Sequence, residues 1–284
     1  MNTNSEIKEV VREKYAEIAT QPKNKNLSSC CGATDCCGED FYNVMADDYS
    51  KMEGYNPDAD LGLGCGLPTV FAKIKEGDTV IDLGSGAGND AFVARKVVGE
   101  KGRVIGIDFT GPMIVSAREN AEKLGFSNVE FRQGDIEDIP VTSNKADVIV
   151  SNCVLNLVPN KHKAFGEIYR VLKPGAHFSI SDIVLEGELT DKWKKVAEMY
   201  AGCISGAIQK KEYLGIIEEA GFKNIVVQKD KTIIVPDDIL KKYFSDDEIA
   251  KHNESNTRIA SITVFAEKPA KDDRNCCEPG SSCC

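Results

Sequence analysis

The stretch Thr79-Val-Ile-Asp-Leu-Gly-Ser-Gly-Ala-Gly-Asn-Asp90 decides the fold that this sequence predicts. Residues 80–83 form a short apolar run that is typical of a buried β-strand, and residues 91–98 have helical spacing. Between them stand three glycines, which can adopt positive φ and leave no Cβ in the way of a ligand. A strand, a glycine turn and a helix in this order predict that a nucleotide-like ligand binds at the carboxyl end of the strand.

Three acidic residues narrow the choice of ligand. Asp82 lies just ahead of glycines whose order differs from the dinucleotide pattern, and its carboxylate would repel a pyrophosphate but attract an ammonium group. Asp108 ends the next strand-like run, where a βαβ unit places a carboxylate on ribose hydroxyls. Asp135 follows a third run and could accept a hydrogen bond from an adenine amino group. An amine, a ribose and an adenine together describe S-adenosylmethionine.

Residues 41–182 resemble the class I S-adenosylmethionine-dependent methyltransferases, through the glycine turn, the second-strand acid and Gly134-Asp135 in this order. The resemblance implies an α/β fold that is doubly wound and Rossmann-like, with a mostly parallel sheet and a smaller substrate-binding insertion. It also implies a set of cofactor-binding residues, which are Asp82, Gly84, Gly86, Gly88, Asp108, Asp135, Ile136 and Asn152.

Periodicity and turn signals place the other elements. Strands are predicted at residues 80–83, 103–108, 129–133, 146–152, 176–183, 224–227 and 261–266. Helices are predicted at residues 3–20, 91–98, 112–124, 161–172, 188–200, 211–220 and 236–244. We expect four segments, which are an N-terminal helix with a cysteine-rich arm (1–40), the cofactor-binding core (41–185), a substrate-binding region with closing strands (186–268) and a disordered cysteine-rich tail (269–284).

Charge and hydropathy limit the possible partners. The 284 residues carry a formal net charge of −10, which disfavours nucleic acid because binding a polyanion draws on clustered Lys and Arg. No apolar run approaches the roughly 18 residues that span a bilayer, and the amino terminus lacks the apolar centre of a signal peptide. We therefore expect a cytoplasmic enzyme with a small substrate and with neither nucleic acid nor a membrane as a partner.

Cysteine usage points to the substrate. Of eleven cysteines, eight form four adjacent pairs, and Cys65, Cys153 and Cys203 stand alone. In a reducing compartment these should be thiols. Cys65 and Cys203 are flanked by glycines on predicted loops, where flexible backbone would let a thiol reach a ligand. Cys153 follows the fourth strand, where this fold presents catalytic residues, although core packing explains this thiol alone equally well. Three lone thiols together favour a soft, thiophilic substrate.

Three cysteine motifs resemble those of the arsenite S-adenosylmethionine methyltransferases. They are Gly64-Cys-Gly-Leu-Pro68, Ser151-Asn-Cys-Val-Leu-Asn-Leu157 and Gly202-Cys-Ile-Ser-Gly206. The resemblance implies that Cys153 and Cys203 bind arsenic(III), that Cys65 joins them or forms a redox pair, and that residues 186–268 are the arsenic-binding region. Longer members of this family carry a further C-terminal domain, so we expect its role here to be absent or taken over by the cysteine tail.

The chemistry explains why a further thiol is expected. Transfer of CH₃⁺ to the arsenic lone pair formally oxidises arsenic, and two cysteines that close a disulfide can return the two electrons. The resemblance implies a fourth cysteine near the amino terminus. We name Cys31 as this fourth cysteine in the predicted site. The doubled pairs leave the choice among Cys30, Cys31, Cys36 and Cys37 open. Thioredoxin or glutathione would then reopen the bond.

Two other functions fit the sequence less fully. A methyltransferase of a small organic acceptor, such as a quinone or a sterol precursor, would use the cysteines only for packing and needs a large apolar cavity. A metalloid-binding or redox-sensing protein would keep the fold without turnover. Three interpretations of the paired cysteines stay open. They are capture of the metalloid, adventitious metal binding such as a zinc site from the spacing of Cys31 and Cys36, and no role.

Overall fold

The computed structural model describes residues 4–21, 48–194, 204, 206–234, 237–255 and 257–270. The strands are β1 (Thr79–Leu83), β2 (Arg103–Asp108), β3 (Val129–Gln133), β4 (Ala146–Asn152), β5 (Leu172–Glu186), β6 (Lys223–Thr232) and β7 (Arg258–Glu267). In this described part of the chain they form one seven-stranded sheet, in the order β3-β2-β1-β4-β5-β7-β6.

The first five strands run parallel, and β7 lies antiparallel between β5 and β6. From β1 the chain winds outward through β2 and β3, and it then returns to β4 on the other side of β1. The direction of winding therefore reverses between β1 and β4. Such a switch point opens a crevice at the carboxyl ends of the strands, because the connections on either side depart to opposite faces of the sheet. The predicted doubly wound, mostly parallel α/β fold is confirmed.

Helices cover both faces of the parallel strands. They are α1 (Asn4–Thr20), α2 (Pro68–Phe71), α3 (Asn89–Val98), α4 (Gly111–Lys123), α5 (Lys161–Val171), α6 (Lys210–Glu219), α7 (Asp237–Tyr243) and α8 (Asp246–Glu254), with a 3₁₀ turn at Leu155–Leu157. Ile81 and Leu83 pack with α5 and α6, whereas Val80 packs with α3 and α4. Burial of alternate residues on both faces explains why β1 is apolar throughout. None of the described helices is long and apolar enough to cross a membrane.

The elements differ from the predicted ones mainly outside the first four strands. Strand β5 begins immediately after α5, and residues 173–175, which the sequence presents as a stop signal, lie within it at a register shift. Strands β6 and β7 extend beyond their predicted bounds, and α8 was not predicted. The N-terminal arm, the second half of the helix predicted at 188–200 and most of the tail lie outside the described residues. The division into four segments remains a prediction.

Phe178 tests the core between the sheet and α5. Its side chain is fully buried, and its ring packs against those of Phe165 and Phe222, at centroid distances of 5.9 and 4.8 Å. We expect Phe178→Ala to lower the free energy of unfolding by about 3–5 kcal/mol in urea titrations, because it leaves a cavity among close-packed rings. As a control, Val115→Ala on the exposed face of α4 should change it by less than about 0.5 kcal/mol. Equal effects of the two substitutions would contradict this account of the core.

Candidate active site

A cleft opens where the winding of the sheet reverses, at the carboxyl ends of β1, β2 and β4. It encloses about 1140 Å³ including its open mouth, and its walls include the predicted cofactor residues Asp82, Gly84, Gly86, Asp108, Asp135, Ile136 and Asn152. Gly88 stands outside the cleft wall, at the N-cap of α3 with φ of 103°, close to the Phe92 and Phe131 rings. The sequence therefore located the cleft, and one predicted residue shapes the helix start beneath it.

Backbone hydrogen bonds hold the glycine turn against β2. The N–H groups of Gly84 and Ser85 both donate to the carbonyl of Ile107, at 2.7 and 3.0 Å. The N–H of Gly86 donates to the Asp108 carboxylate at 3.0 Å. Gly84 and Gly86 have φ of 69° and 50°, a region that favours glycine. The turn thus presents bare main chain to the cleft.

Two buried carboxylates, Asp82 and Asp108, and the half-buried Asp90 lie at the same edge of the sheet. Burial, with the charges of Asp90 and Asp108, raises the pKa of Asp82 well above its ordinary value. Burial also raises the pKa of Asp90 to about 6, although hydrogen bonds from Asn152 and Tyr49 partly offset it. Asp108 has a raised pKa for the same primary reason, while the backbone amides of Thr110 and Gly86 stabilise its charged form. Anions packed this closely favour a cationic ligand.

Two buried oxygens in the cleft point to a ligand with hydrogen-bond donors. Asp82 Oδ2 and Ser85 Oγ have no hydrogen-bond partner within the described part of the chain. Buried polar atoms normally have partners, so these oxygens are suited to groups that a ligand brings. S-adenosylmethionine carries an ammonium group and two ribose hydroxyls, and the residues present fit it.

Tyr49, Asp90 and Asn152 form a hydrogen-bonded group between the cleft and the loop at residues 61–67. The Tyr49 hydroxyl lies 2.8 Å from Asp90 Oδ1, and Asn152 Nδ2 donates to that hydroxyl at 2.7 Å and lies 3.1 Å from Asp90 Oδ2. Sequence reasoning missed Tyr49 and Asp90. The contacts join residues between 41 and 103 positions apart, which local patterns do not reveal.

Helix α1 forms part of the cleft wall, which the sequence did not predict. Lys8 Nζ contacts the carboxylates of Asp135 and Glu137 at 2.6 and 3.0 Å, and Val11 and Tyr15 also line the cleft. The other Asp135 oxygen accepts from the backbone N–H of Glu137. The predicted acceptor of an adenine amino group therefore already has partners in the protein.

The structure brings Cys65 and Cys153 into one apolar cluster. They are 1% and 3% exposed, neither forms a disulfide, and the cluster also contains Trp193 and Ile204. Cys153 lines the cleft directly after β4, with its N–H donating to the Ser181 carbonyl at 2.8 Å and a φ of 61°. Few residues other than glycine adopt this left-handed backbone conformation, and those that do are often found at functional sites.

The expectation of a flexible backbone around Cys65 is wrong. Its N–H donates to Asn152 Oδ1 at 3.0 Å, and its carbonyl accepts from Ser261 Oγ at 2.6 Å. The glycines on either side serve close packing instead, because a Cβ at Gly64 would lie 2.6 Å from Asn152 Nδ2. The loop is thus fixed at the residue that carries the thiol.

The other predicted thiols lie outside the described residues. These are Cys203 and the N-terminal group of Cys30, Cys31, Cys36 and Cys37. Ile204, the residue after Cys203, is buried in the cluster of Cys65 and Cys153. Gly206 packs on the 3₁₀ turn, where a Cβ would lie 1.8 Å from the Asn156 carbonyl oxygen.

A second buried polar group supports the turn that follows Cys153. Burial raises the pKa of Asp182 to about 7, although the Lys161 charge and a hydrogen bond from Tyr213 partly offset it. The Tyr213 hydroxyl donates to Asp182 Oδ2 at 3.0 Å, and Lys161 Nζ donates to the Asn156 carbonyl at 3.0 Å. Lys161 and Asp182 both form hydrogen bonds with the backbone of Asn156, so they stabilise the 3₁₀ turn.

Comparison with known proteins relates this site to a family. Residues 74–221 match the methyltransferase domain family. An arsenite methyltransferase from Halobacterium salinarum is 38% identical, over 94% of this chain and 68% of that protein. A demethylmenaquinone methyltransferase from Lactobacillus johnsonii is 29% identical, over 67% of this chain and 86% of that protein.

A solved structure agrees with the sequence comparison. The arsenic(III) S-adenosylmethionine methyltransferase from Chlamydomonas reinhardtii superposes with a TM-score of 0.60 at 32% identity, covering 72% of this chain and 68% of that one. Its fold and the Halobacterium salinarum sequence indicate the same class of enzyme. The chain belongs to the arsenite methyltransferase family, within the class I S-adenosylmethionine-dependent methyltransferases.

Proposed function

We propose that this enzyme transfers methyl groups from S-adenosylmethionine to arsenic(III) that is bound by cysteine thiolates. One observation carries the proposal. Cys153 lines the cofactor cleft and shares an apolar cluster with Cys65, so a cluster with two buried thiols reaches the cleft. Thiolates are the soft ligands that a thiophilic metalloid prefers.

The apolar surroundings of the thiols support this substrate. Arsenous acid and three thiols condense to a neutral tris-thiolate with release of three water molecules. A neutral complex can be buried among side chains such as Ile183 and Leu185 without the cost of burying a charge. We propose Cys203 as a further arsenic ligand, because the adjacent Ile204 belongs to this cluster.

The cleft residues have distinct proposed roles toward the cofactor. Bound S-adenosylmethionine supplies an electrophilic methyl group on its sulfonium. Asp82 would pair with the ammonium group, Asp108 would accept from the ribose hydroxyls, and Asp135 with Ile136 would contact the adenine. Gly84 and Gly86 leave room for close approach to the main chain.

Alignment is the enzyme's main contribution to transfer. Thiolate-bound arsenic(III) keeps a lone pair that can attack the methyl carbon in line, so no general base is needed. The product arsenic is formally oxidised by two electrons. We propose that Cys65 and an N-terminal thiol, with Cys31 as the candidate, return these electrons by closing a disulfide, and that thioredoxin or glutathione reopens it in the cytoplasm.

A small organic acceptor is the alternative function. The similarity to a demethylmenaquinone methyltransferase favours it, since a quinone would also need an apolar site. Incubation with S-adenosylmethionine, a thiol reductant and arsenite, followed by arsenic speciation, separates the two. Methylated arsenic supports the proposal, and its absence alongside methylation of a quinone would replace it.

Substitution of the arsenic-binding thiols tests the proposed ligands. We expect Cys153→Ser and Cys203→Ser each to lower arsenite methylation by at least ~100-fold, because a hydroxyl is a poor ligand for a soft metalloid. The dissociation constant for S-adenosylmethionine should stay within about twofold, since neither thiol is assigned to the cofactor. Cys284→Ser is the matched control and should keep the wild-type rate at saturating arsenite. Wild-type turnover in Cys153→Ser would refute the assignment.

A single turnover tests the proposed reduction. With arsenite, S-adenosylmethionine and no added reductant, we expect one disulfide containing Cys65 per methyl group transferred, because arsenic must recover two electrons. Non-reducing peptide mass spectrometry identifies the partner among the N-terminal cysteines. If Cys65 remained a thiol while trivalent methylated arsenic accumulated, the electrons would have another source.

The pKa of Asp90 predicts how cofactor binding depends on pH. Since burial raises this pKa to about 6, the protonated form stabilises the folded protein below the unfolded-chain pKa near 4, and this stabilisation is lost as pH rises through about 6. A cationic ligand prefers the ionised form. Calorimetry should therefore show a roughly tenfold gain in affinity for S-adenosylmethionine from pH 5 to pH 7.

Asp90→Asn should weaken that dependence without abolishing it, because burial also raises the pKa values of Asp82 and Asp108. The control is Asp147→Asn at the other end of β4, where the carboxylate accepts from the backbone N–H of Thr79 and pairs with Lys173. This variant should keep the wild-type pH dependence of cofactor binding. An unchanged pH profile in Asp90→Asn would contradict the role given to this carboxylate.

A further inference from the structure

The side-chain amide of Asn152 is used by the protein itself. Its Oδ1 accepts from the backbone N–H groups of Cys65 and Gly66, at 3.0 and 3.2 Å. Its Nδ2 lies within hydrogen-bond distance of the Tyr49 hydroxyl, the Gly66 carbonyl and Asp90 Oδ2, at 2.7, 2.8 and 3.1 Å. An amide has two lone pairs on oxygen and two hydrogens on nitrogen. Nothing in this amide is left over for a ligand, although the residue lines the cleft.

These contacts fix the backbone of Cys65 from both sides. Asn152 holds its N–H, and Ser261 holds its carbonyl. The loop also packs closely on either side of the thiol. A Cβ at Gly64 would lie 2.6 Å from Asn152 Nδ2, and a Cβ at Gly66 would lie 2.5 Å from Ser181 Oγ. The backbone of Cys65 is therefore held by hydrogen bonds on both sides, in addition to the burial of its side chain.

We propose that Asn152 is a positioning residue that fixes Cys65 beside Cys153, and not a ligand of the cofactor. The inference rests on the proposed function, with Cys65 as a further thiolate ligand of arsenic(III) before it closes the disulfide. Asn152 directly precedes Cys153 in the chain, so one residue sets the separation of the two thiols. Thiols that are already in place bind the metalloid at a lower cost in conformational entropy than thiols on a mobile loop.

Asn152→Ala separates the two roles through three measurements. The dissociation constant for arsenite, followed by the fluorescence of Trp193 in the same cluster, should rise about tenfold or more because the loop is no longer preorganised. The dissociation constant for S-adenosylmethionine, measured at pH 8 so that Asp90 stays ionised after it loses the hydrogen bond from Asn152, should stay within about twofold. Labelling of Cys65 by iodoacetamide, quantified by peptide mass spectrometry, should accelerate about tenfold or more, since the buried thiol becomes accessible by local opening.

Asn128→Ala is the matched control. Asn128 is also half-buried, and its amide also holds a loop, donating to the carbonyls of Gly99 and Gly102 at 2.8 Å and accepting from Arg95. It lies at the start of β3, away from the thiols. All three quantities should match the wild type in this variant.

Gly64→Ala keeps the inference testable if Asn152→Ala does not fold. Its new Cβ would meet the Asn152 amide, so it should accelerate Cys65 labelling in the same way. Unchanged labelling in both variants, or a tenfold weaker affinity for S-adenosylmethionine without faster labelling, would overturn the inference. If the wild type bound no arsenite but labelling still accelerated, the proposed function would fail while the positioning role stood.

Discussion

The amide of Asn152 joins the buried carboxylates of the cleft to the backbone of the loop that carries Cys65. Asn152 is the last residue of β4, the strand beside the switch point, so its position is set by the most buried part of the sheet. On one side of it lies the glycine turn, and on the other lies the apolar cluster of the thiols. The cleft and the thiol cluster therefore adjoin at the carboxyl end of one strand, which is where we propose that the two reactants meet.

The cleft concentrates negative charge that the folded protein does not itself neutralise. Asp82 and Asp108 are buried, Asp90 beside them is half-buried, and the pKa values of all three are raised. Backbone amides and the hydroxyl of Tyr49 stabilise part of this charge. A ligand with an ammonium group suits the negative charge that remains. The carboxylates lower the stability of the unliganded fold but favour binding of such a ligand, as is common at functional sites.

The thiol cluster follows the opposite principle. Cys65 and Cys153 are surrounded by aliphatic and aromatic side chains, where a charged product would be costly. A neutral thiolate complex of arsenic(III) suits that environment, and the cationic cofactor suits the acidic cleft beside it. We therefore propose that the two reactants are separated by charge and meet at Cys153.

Strands that are buried on both faces could be predicted from the sequence, because a continuous apolar run such as residues 146–152 leaves little choice of structure. Helix α8 was not predicted, although the capping box of Ser245 and Glu248 is a local signal for its start. Contacts such as Lys8 with Asp135 join residues 127 positions apart, and only the folded chain reveals them. The glycines that flank Cys65 predicted a flexible loop for the same reason. They instead allow close packing against Asn152 and Ser181, which are distant in the sequence.

Anomalous diffraction at the arsenic edge tests the central claim most directly, on crystals grown with arsenite and S-adenosylhomocysteine. The account predicts arsenic bonded to the sulfur of Cys153, within the cluster that contains Cys65 and open to the methionine end of the bound nucleoside. Arsenic bound solely by the paired cysteines near the two ends of the chain, with the Cys153 sulfur unligated, would contradict it.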